Sequence, residues 1–146
     1  MSDKQSRLEH VEQSLTTPAE IAADRNKLSP WAAIVGPCYT VLSFSRALKA
    51  TPAAILEATA AIRVLRLPTA DGSAVFPAFQ VRGGQVAPDL QSVLKVLRGG
   101  IDDPWTWAQW LNTPRLNGVI QIDELWAGNV AEVMRDAGHD AWVWRS

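Results

Sequence analysis

Nine residues, Pro104–Asn112, hold Trp105, Trp107 and Trp110 and open on Asp103-Pro104, a capping acid and a first-turn proline that together predict a helix. At about 100° per residue Trp107, Trp110 and Leu111 share a face, while Trp105 points roughly 160° away from Trp107. One core cannot receive all three indoles from a single side. Either this helix is sandwiched centrally, or one indole is left for a partner, because aromatic side chains anchor interfaces. The chain has seven tryptophans in 146 residues, and Trp142 and Trp144 sit two apart at its extreme end. Chain ends fray, and two exposed indoles there are a liability. They are therefore read as covered by a partner, by a dimer mate or by the chain's own core.

The length fits one domain with a short arm and allows a usable core. No apolar run approaches the roughly 20 residues that a bilayer crossing needs, and the opening MSDKQSRLEH lacks a signal-peptide stretch. A cytoplasmic location is expected. Cys38 is the only cysteine, which excludes an internal disulfide and a four-thiolate metal site and predicts a buried or inert thiol. Fourteen Lys and Arg against fifteen Asp and Glu remove the bulk electrostatic case for nucleic-acid binding. The distribution is uneven. Residues 101–146 hold three arginines against seven acids, so the C-terminal third is acidic and aromatic.

Residues 1–15 read as a helical arm, with Leu8, Val11 and Leu15 on one stripe. Thr17-Pro18-Ala19-Glu20 starts a helix to about Lys27, and Ser29-Pro30 starts another that ends at Gly36-Pro37. Ser43–Ile62 reads as two short helices and a tight turn, with Phe44, Ala47 and Leu48 inward and Thr51-Pro52 opening the second. Arg63–Leu67 and Val75–Val81 are strand-like runs around an Asp71-Gly72 turn, and Pro77 makes the second run an edge strand. A helix pair followed by a hairpin is the outline of a winged or MerR-like helix-turn-helix unit. Beyond Gly83-Gly84, Leu90, Val93, Leu94 and Leu97 form an i, i+3, i+4, i+7 stripe. A short helix is expected around Ile122–Trp126, and another from Asn129, with Val130, Val133, Met134 and Ala137 on its stripe, ending at Gly138.

Catalytic groups are scarce. His10 and His139 are the only histidines, neither has metal-ligand spacing, and His139 beside Gly138 reads as a helix-end cation facing the dipole. Asp102 and Asp103 read as a helix cap rather than an acid–base pair. Gly83-Gly84 and Gly99-Gly100 lie in no phosphate-cradling pattern. The second helix of the helix-turn-helix-like unit, Pro52–Ile62, offers Glu57 and Thr59 but no cation for a DNA groove. Arg46, Lys49, Arg63 and Arg66 flank it and are the candidate phosphate contacts. No enzyme and no cofactor are expected.

Phe76-Pro77-Ala78-Phe79-Gln80 is followed by Asp103-Pro104-Trp105-Thr106-Trp107-Ala108-Gln109-Trp110-Leu111-Asn112-Thr113-Pro114. Then come Gly118, Ile122-Asp123-Glu124-Leu125-Trp126-Ala127-Gly128, and Val130 and Val133. In this order and spacing the chain from Pro77 to Arg145 resembles the antitoxins of the Xre/MbcA/ParS toxin-binding class, partners of RES-domain toxins. The resemblance implies a mainly α protein; residues 1–40, read as an N-terminal helical arm, lie outside it. A helix-turn-helix-like unit with a small β-hairpin follows over 41–82, then a C-terminal helical toxin-binding domain over 83–146. It further implies a homodimer whose C-terminal domain occludes the active site of an NAD-degrading toxin. The toxin-facing residues would be Trp126, Arg135, His139, Trp142, Trp144 and Arg145, and an acidic surface would suit a basic pocket mouth. Ile120-Gln121 departs from the small residue and proline that often precede the Ile-Asp-Glu-Leu-type stretch. The alternative reading is a DNA-binding regulator of helix-turn-helix type acting on operator DNA.

Overall fold

The computed structural model describes residues 15–16 and 30–146. The expected helices over 1–14 and 18–27, His10 and the side chain of Trp31 lie outside the described residues. Leu15, expected at the end of the arm helix, instead joins Thr16 in strand β1 (Leu15–Thr16). Its partner is β2 (Cys38–Tyr39), with Leu15 opposite Tyr39. A mainly helical architecture with a small antiparallel sheet results, and among the described residues no helix is long and apolar enough to cross a membrane.

Capping chemistry sets out the first half of the chain. Helix α1 (Pro30–Val35) stops at Gly36, whose φ of +78° suits a residue without Cβ. Helix α2 (Val41–Leu48) opens on a reciprocal capping box: Thr40 Oγ1 accepts from Ser43 N at 3.1 Å, and Ser43 Oγ accepts from Thr40 N at 2.9 Å. Thr51 caps helix α3 (Pro52–Ala60) by accepting from Ala54 N at 3.1 Å. The two helices close on a small cluster of Phe44, Ile55, Val64 and Phe76, in which the Phe44 and Phe76 rings stack at 4.4 Å.

The expected hairpin is present but shorter, as β3 (Leu67–Pro68) and β4 (Ala74–Pro77), with Leu67 opposite Val75. Strand order is β1-β2-β4-β3, so β4 is internal and the edge position expected from Pro77 is incorrect. The proline is tolerated because its missing N–H falls at the last residue of the strand, opposite Cys38. The next amide, Ala78 N, bonds Pro37 O at 2.9 Å. Ala78–Gln80 then turns as a 3-10 helix instead of extending, which sends Gln80 into the interior, where it is 0 % exposed. Its amide accepts from Leu65 N at 2.8 Å and donates to Leu65 O at 2.9 Å and Pro77 O at 3.1 Å. Gln80 thus supplies the bonds that a strand would otherwise make to Leu65. Strands β5 (Val81–Arg82) and β6 (Gln85–Val86) form a second hairpin through Gly83-Gly84, both at positive φ.

The second half is helical. Leu90, Val93, Leu94 and Leu97 of helix α4 (Leu90–Gly100) are all buried, each contributing about 1.5–3 kcal/mol of apolar burial. Helix α5 (Pro104–Asn112) is capped by Asp103, which accepts from Trp105 N at 3.2 Å. Trp107, Trp110 and Leu111 face the core, while Trp105 packs on the opposite flank and donates its indole N–H to Pro68 O at 2.9 Å. The tryptophan helix is sandwiched. Packing also runs across residue 82, since Leu65, Leu67 and Val75 belong to the same cluster as the α4 stripe and Trp107.

Helix α6 (Gln121–Trp126) and helix α7 (Val130–Arg145) complete the chain. Gly138, expected to end the last helix, lies inside it, and the helix continues through Trp144. Glycine costs a helix only about 1 kcal/mol, and packing beyond it outweighs that. Val133, Ala137 and Ala141 bury one stripe, and a Cβ on Gly100 would lie 2.5 Å from Ala141 Cα and 2.7 Å from its carbonyl oxygen. Around Gly138 a Cβ would meet nothing within 4 Å. The two glycines therefore respond oppositely in urea denaturation. Gly100→Ala is expected to lose about 1–3 kcal/mol because a backbone must move, and Gly138→Ala to gain about 0.5–1 kcal/mol.

Candidate functional site

Helix α7 is amphipathic: its fully buried stripe is Val133, Ala137 and Ala141, and one of its two indoles, Trp142, points outward. Arg135, His139 and Trp142 are all exposed, and helical geometry places them within an arc of about 60°. Trp142 is 59 % exposed and its neighbour Val143 47 %. The His139 and Trp142 rings stand 6.5 Å apart. No ion-pair partner is recorded for Arg135 among the described residues. The helix is nevertheless held at its end, because Arg145 Nη1 donates to Gly99 O at 3.1 Å and half-buried Trp144 packs against the core.

Two of the three acids on α7 are turned away from that strip. Gln121, itself buried, donates to Asp136 Oδ2 at 2.9 Å. Asp140 Oδ2 accepts from the Trp110 indole at 2.7 Å and from Arg115 at 2.9 Å. Burial alone would raise the Asp140 pKa, but the Trp110 and Arg115 hydrogen bonds, with the positive charges of Arg115 and His139, outweigh it and hold the carboxyl below its ordinary value. Glu132 is the exposed acid of the helix. Beside the Asp140 tie lies a groove of about 280 Å³ lined by Thr106, Gln109, Trp110, Thr113, Arg115 and Trp144, with Pro114 at its edge.

Helices α2 and α3 offer a second surface. Arg46, Lys49 and Arg63 are exposed and Arg66 is half-buried, so all four are at hand for phosphates. The outward face of α3 carries Ala53, Leu56, Glu57 and Ala60, with Leu56 64 % exposed. Such a face has few groups that read base edges. At the β3–β4 turn, Asp71 Oδ1 accepts from Ser73 N at 3.0 Å, so the turn carries a carboxylate.

Of the residues singled out in the sequence, Arg135, His139 and Trp142 come together on one face. Trp144 and Arg145 anchor the same helix from its inner side. Trp126 is held elsewhere: its indole donates to Phe79 O at 3.0 Å, and the Arg82 guanidinium lies 4.9 Å from its ring centre while pairing with Asp123 at 3.1 Å. His139 is mid-helix, so the helix-end role expected for it is incorrect. Asn129 likewise makes no side-chain cap and bonds Glu124 Oε1 at 2.7 Å instead. Cys38 is fully buried, and burial pushes its thiol up to about 12, as expected of an inert core cysteine. The Trp110–Arg115–Asp140 tie was not foreseen. Its only sequence signal was an arginine and an acid that no local pattern explained.

No family model and no curated protein matches the chain in sequence. Among solved structures, the NMR structure of Rv2175c is similar, with a TM-score of 0.63, 22 % identity, 72 % of this chain covered and 81 % of that one. At that identity the likeness concerns the fold alone.

The depressed Asp140 pKa fixes a sign. The tie adds stability that is complete above the unfolded carboxylate pKa of about 3.9 and is lost as pH falls through the lower folded value. The stability difference between the wild type and Asp140→Asn, read from urea midpoints, is expected to be constant near neutrality and to shrink below about pH 4. A difference that grows on acidification would contradict this.

Proposed function

We propose that this chain is a non-enzymatic antitoxin of a type II toxin–antitoxin pair, acting in the cytoplasm as a homodimer. Its partner is a RES-domain, NAD-degrading toxin, which it neutralises by binding over the active site with the outer face of α7. The observation that carries the reading is Trp142, left 59 % exposed on a helix whose other side is locked to the core. A solvent-facing indole on a rigid support is an anchor waiting for a pocket, and rigidity lowers the ordering cost of association. Arg135 and His139 flank it on the same face, and the ordered Trp-rich motifs from Pro77 to Arg145 resemble those of the Xre/MbcA/ParS class. Trp126, assigned to the same interface by resemblance, is engaged with Phe79 and Arg82 and is left out of the proposed contact.

A second activity, operator binding for autoregulation, is supported by Arg46 and Lys49, exposed near the α2–α3 turn, and by Arg63, exposed just after α3. It would rest on phosphate contacts and so weaken steeply with salt.

Co-expression with the product of the adjacent gene tests the main reading. The expected result is a co-purifying complex and restored growth. Trp142→Ala is expected to weaken the complex by about 2 kcal/mol or more, roughly thirtyfold, with an unchanged thermal midpoint because the side chain packs on little. Persistent toxicity with no complex would overturn the proposal.

A further inference from the structure

We infer that a second copy of this chain docks on the flank of α7 away from Trp142, with Leu116 of each copy seated in the groove beside Trp110 and Trp144 of the other. The inference rests on the homodimer of the reading above and names its interface.

Leu116 is the most exposed large apolar side chain among the described residues, at 109 %. A lone exposed leucine is ordinary on a protein surface. This one stands on a turn tied three times at its base: Arg115 N donates to Val119 O at 2.8 Å, Gly118 N to Arg115 O at 2.7 Å, and Val119 N to Asn117 Oδ1 at 3.0 Å. Arg115 is further fixed to Asp140 of α7 at 2.9 Å. The knob is therefore preformed, and its docking costs little ordering. The groove of about 280 Å³ starts at Pro114 and Arg115, the residues that lead into the turn, and is walled by Trp110 and Trp144. Leu116, fully exposed, does not fill it from its own chain.

Knob and groove are thus neighbours on one face. A knob far from its hole joins copies head to tail into open chains, whereas a knob beside its hole lets one two-fold rotation satisfy both contacts at once. Charge permits the approach. Of the side chains lining the groove and the turn only Arg115 is charged, and Asp140 pairs with it, so two such faces meet without setting unpaired like charges together. Trp142 and Trp144 are two residues apart and so project about 160° apart around α7. A copy seated beside Trp144 leaves the outer face free.

Sedimentation velocity of the full chain across a dilution series tests this. The wild type is expected to be a dimer. Leu116→Glu is expected to weaken self-association roughly a hundredfold, because each dimer loses two buried leucines, with an unchanged circular dichroism spectrum. Gln109→Lys, which sets a charge in the groove, is expected to do the same. Mixed together, the two variants are expected to form a heterodimer, since one seat is then unaltered and the other brings the new carboxylate to the new ammonium. A wild type that stays monomeric, a dimer that survives either substitution, or two monomeric variants that do not pair when mixed each overturn the interface. The antitoxin reading is judged separately, by whether the wild type co-purifies the product of the adjacent gene. It survives a monomeric wild type, and a dimer with no such complex removes it while leaving the interface.

Discussion

The outer half of this protein depends on the place where Gly100, at the end of α4, meets the backbone of Ala141 in α7. The approach is too close for any Cβ on the α4 side. It lets α7 lie along the Leu90–Leu97 helix with Val133, Ala137 and Ala141 buried between them. A close-packed contact of this kind leaves little room to shift. Trp144 and Arg145 hold its last turn from the same side. Helix α7 is thus held along its inner side, with Trp142 exposed on the outer one.

Polar ties then decide which charges that outer side shows. Gln121 is almost wholly buried and has Asp136 as its acceptor. Asp140 receives two donors, one of them the indole of the Trp-rich helix. These bonds keep two carboxylates on the inner flank and leave Arg135 and His139 outside. The tryptophan helix thus has two roles. Trp107 and Leu111 fill the core, and Trp110, at its border, orders the polar flank of α7 through its N–H. Trp105 reaches the other way to Pro68 and joins the hairpin of the first half to the helices of the second.

What could be read from sequence was what local chemistry decides. The α4 stripe, the Thr51 and Asp103 caps and the Gly36 stop are all in place, because each rests on contacts within a few residues. What could not be read depends on neighbours distant in the chain. Gly138 looks like a stop until the packing of Ala141 on Gly100 carries the helix past it. Pro77 looks like an edge residue until β2 supplies an outer neighbour, and Leu15 looks helical until β2 pairs with it. Gln80 carries no local signal at all, since its bonds run to Leu65. For the candidate site, the residue types were legible and their sorting was not. Arg135, His139 and Trp142 were named together with Trp126, which the fold commits to Phe79. Asp136 and Asp140 gave no sign in the sequence that α5, its following loop and α6 would bind them.

The helix-turn-helix-like outline of α2 and α3 and the similarity to Rv2175c speak to architecture. On this chain the α2–α3 pair and the hairpin after it present an apolar α3 face and an acidic turn, whereas α7 presents an exposed indole on a helix packed against the core. The most direct measurement of that contrast is hydroxyl-radical footprinting of the full chain, free and mixed with the product of the adjacent gene. The account requires strong protection of Trp142 and its neighbours on the outer face of α7, with Leu42 and Leu56 on the helix-turn-helix-like unit unchanged. Protection of Leu42 and Leu56 with Trp142 still reactive would contradict it.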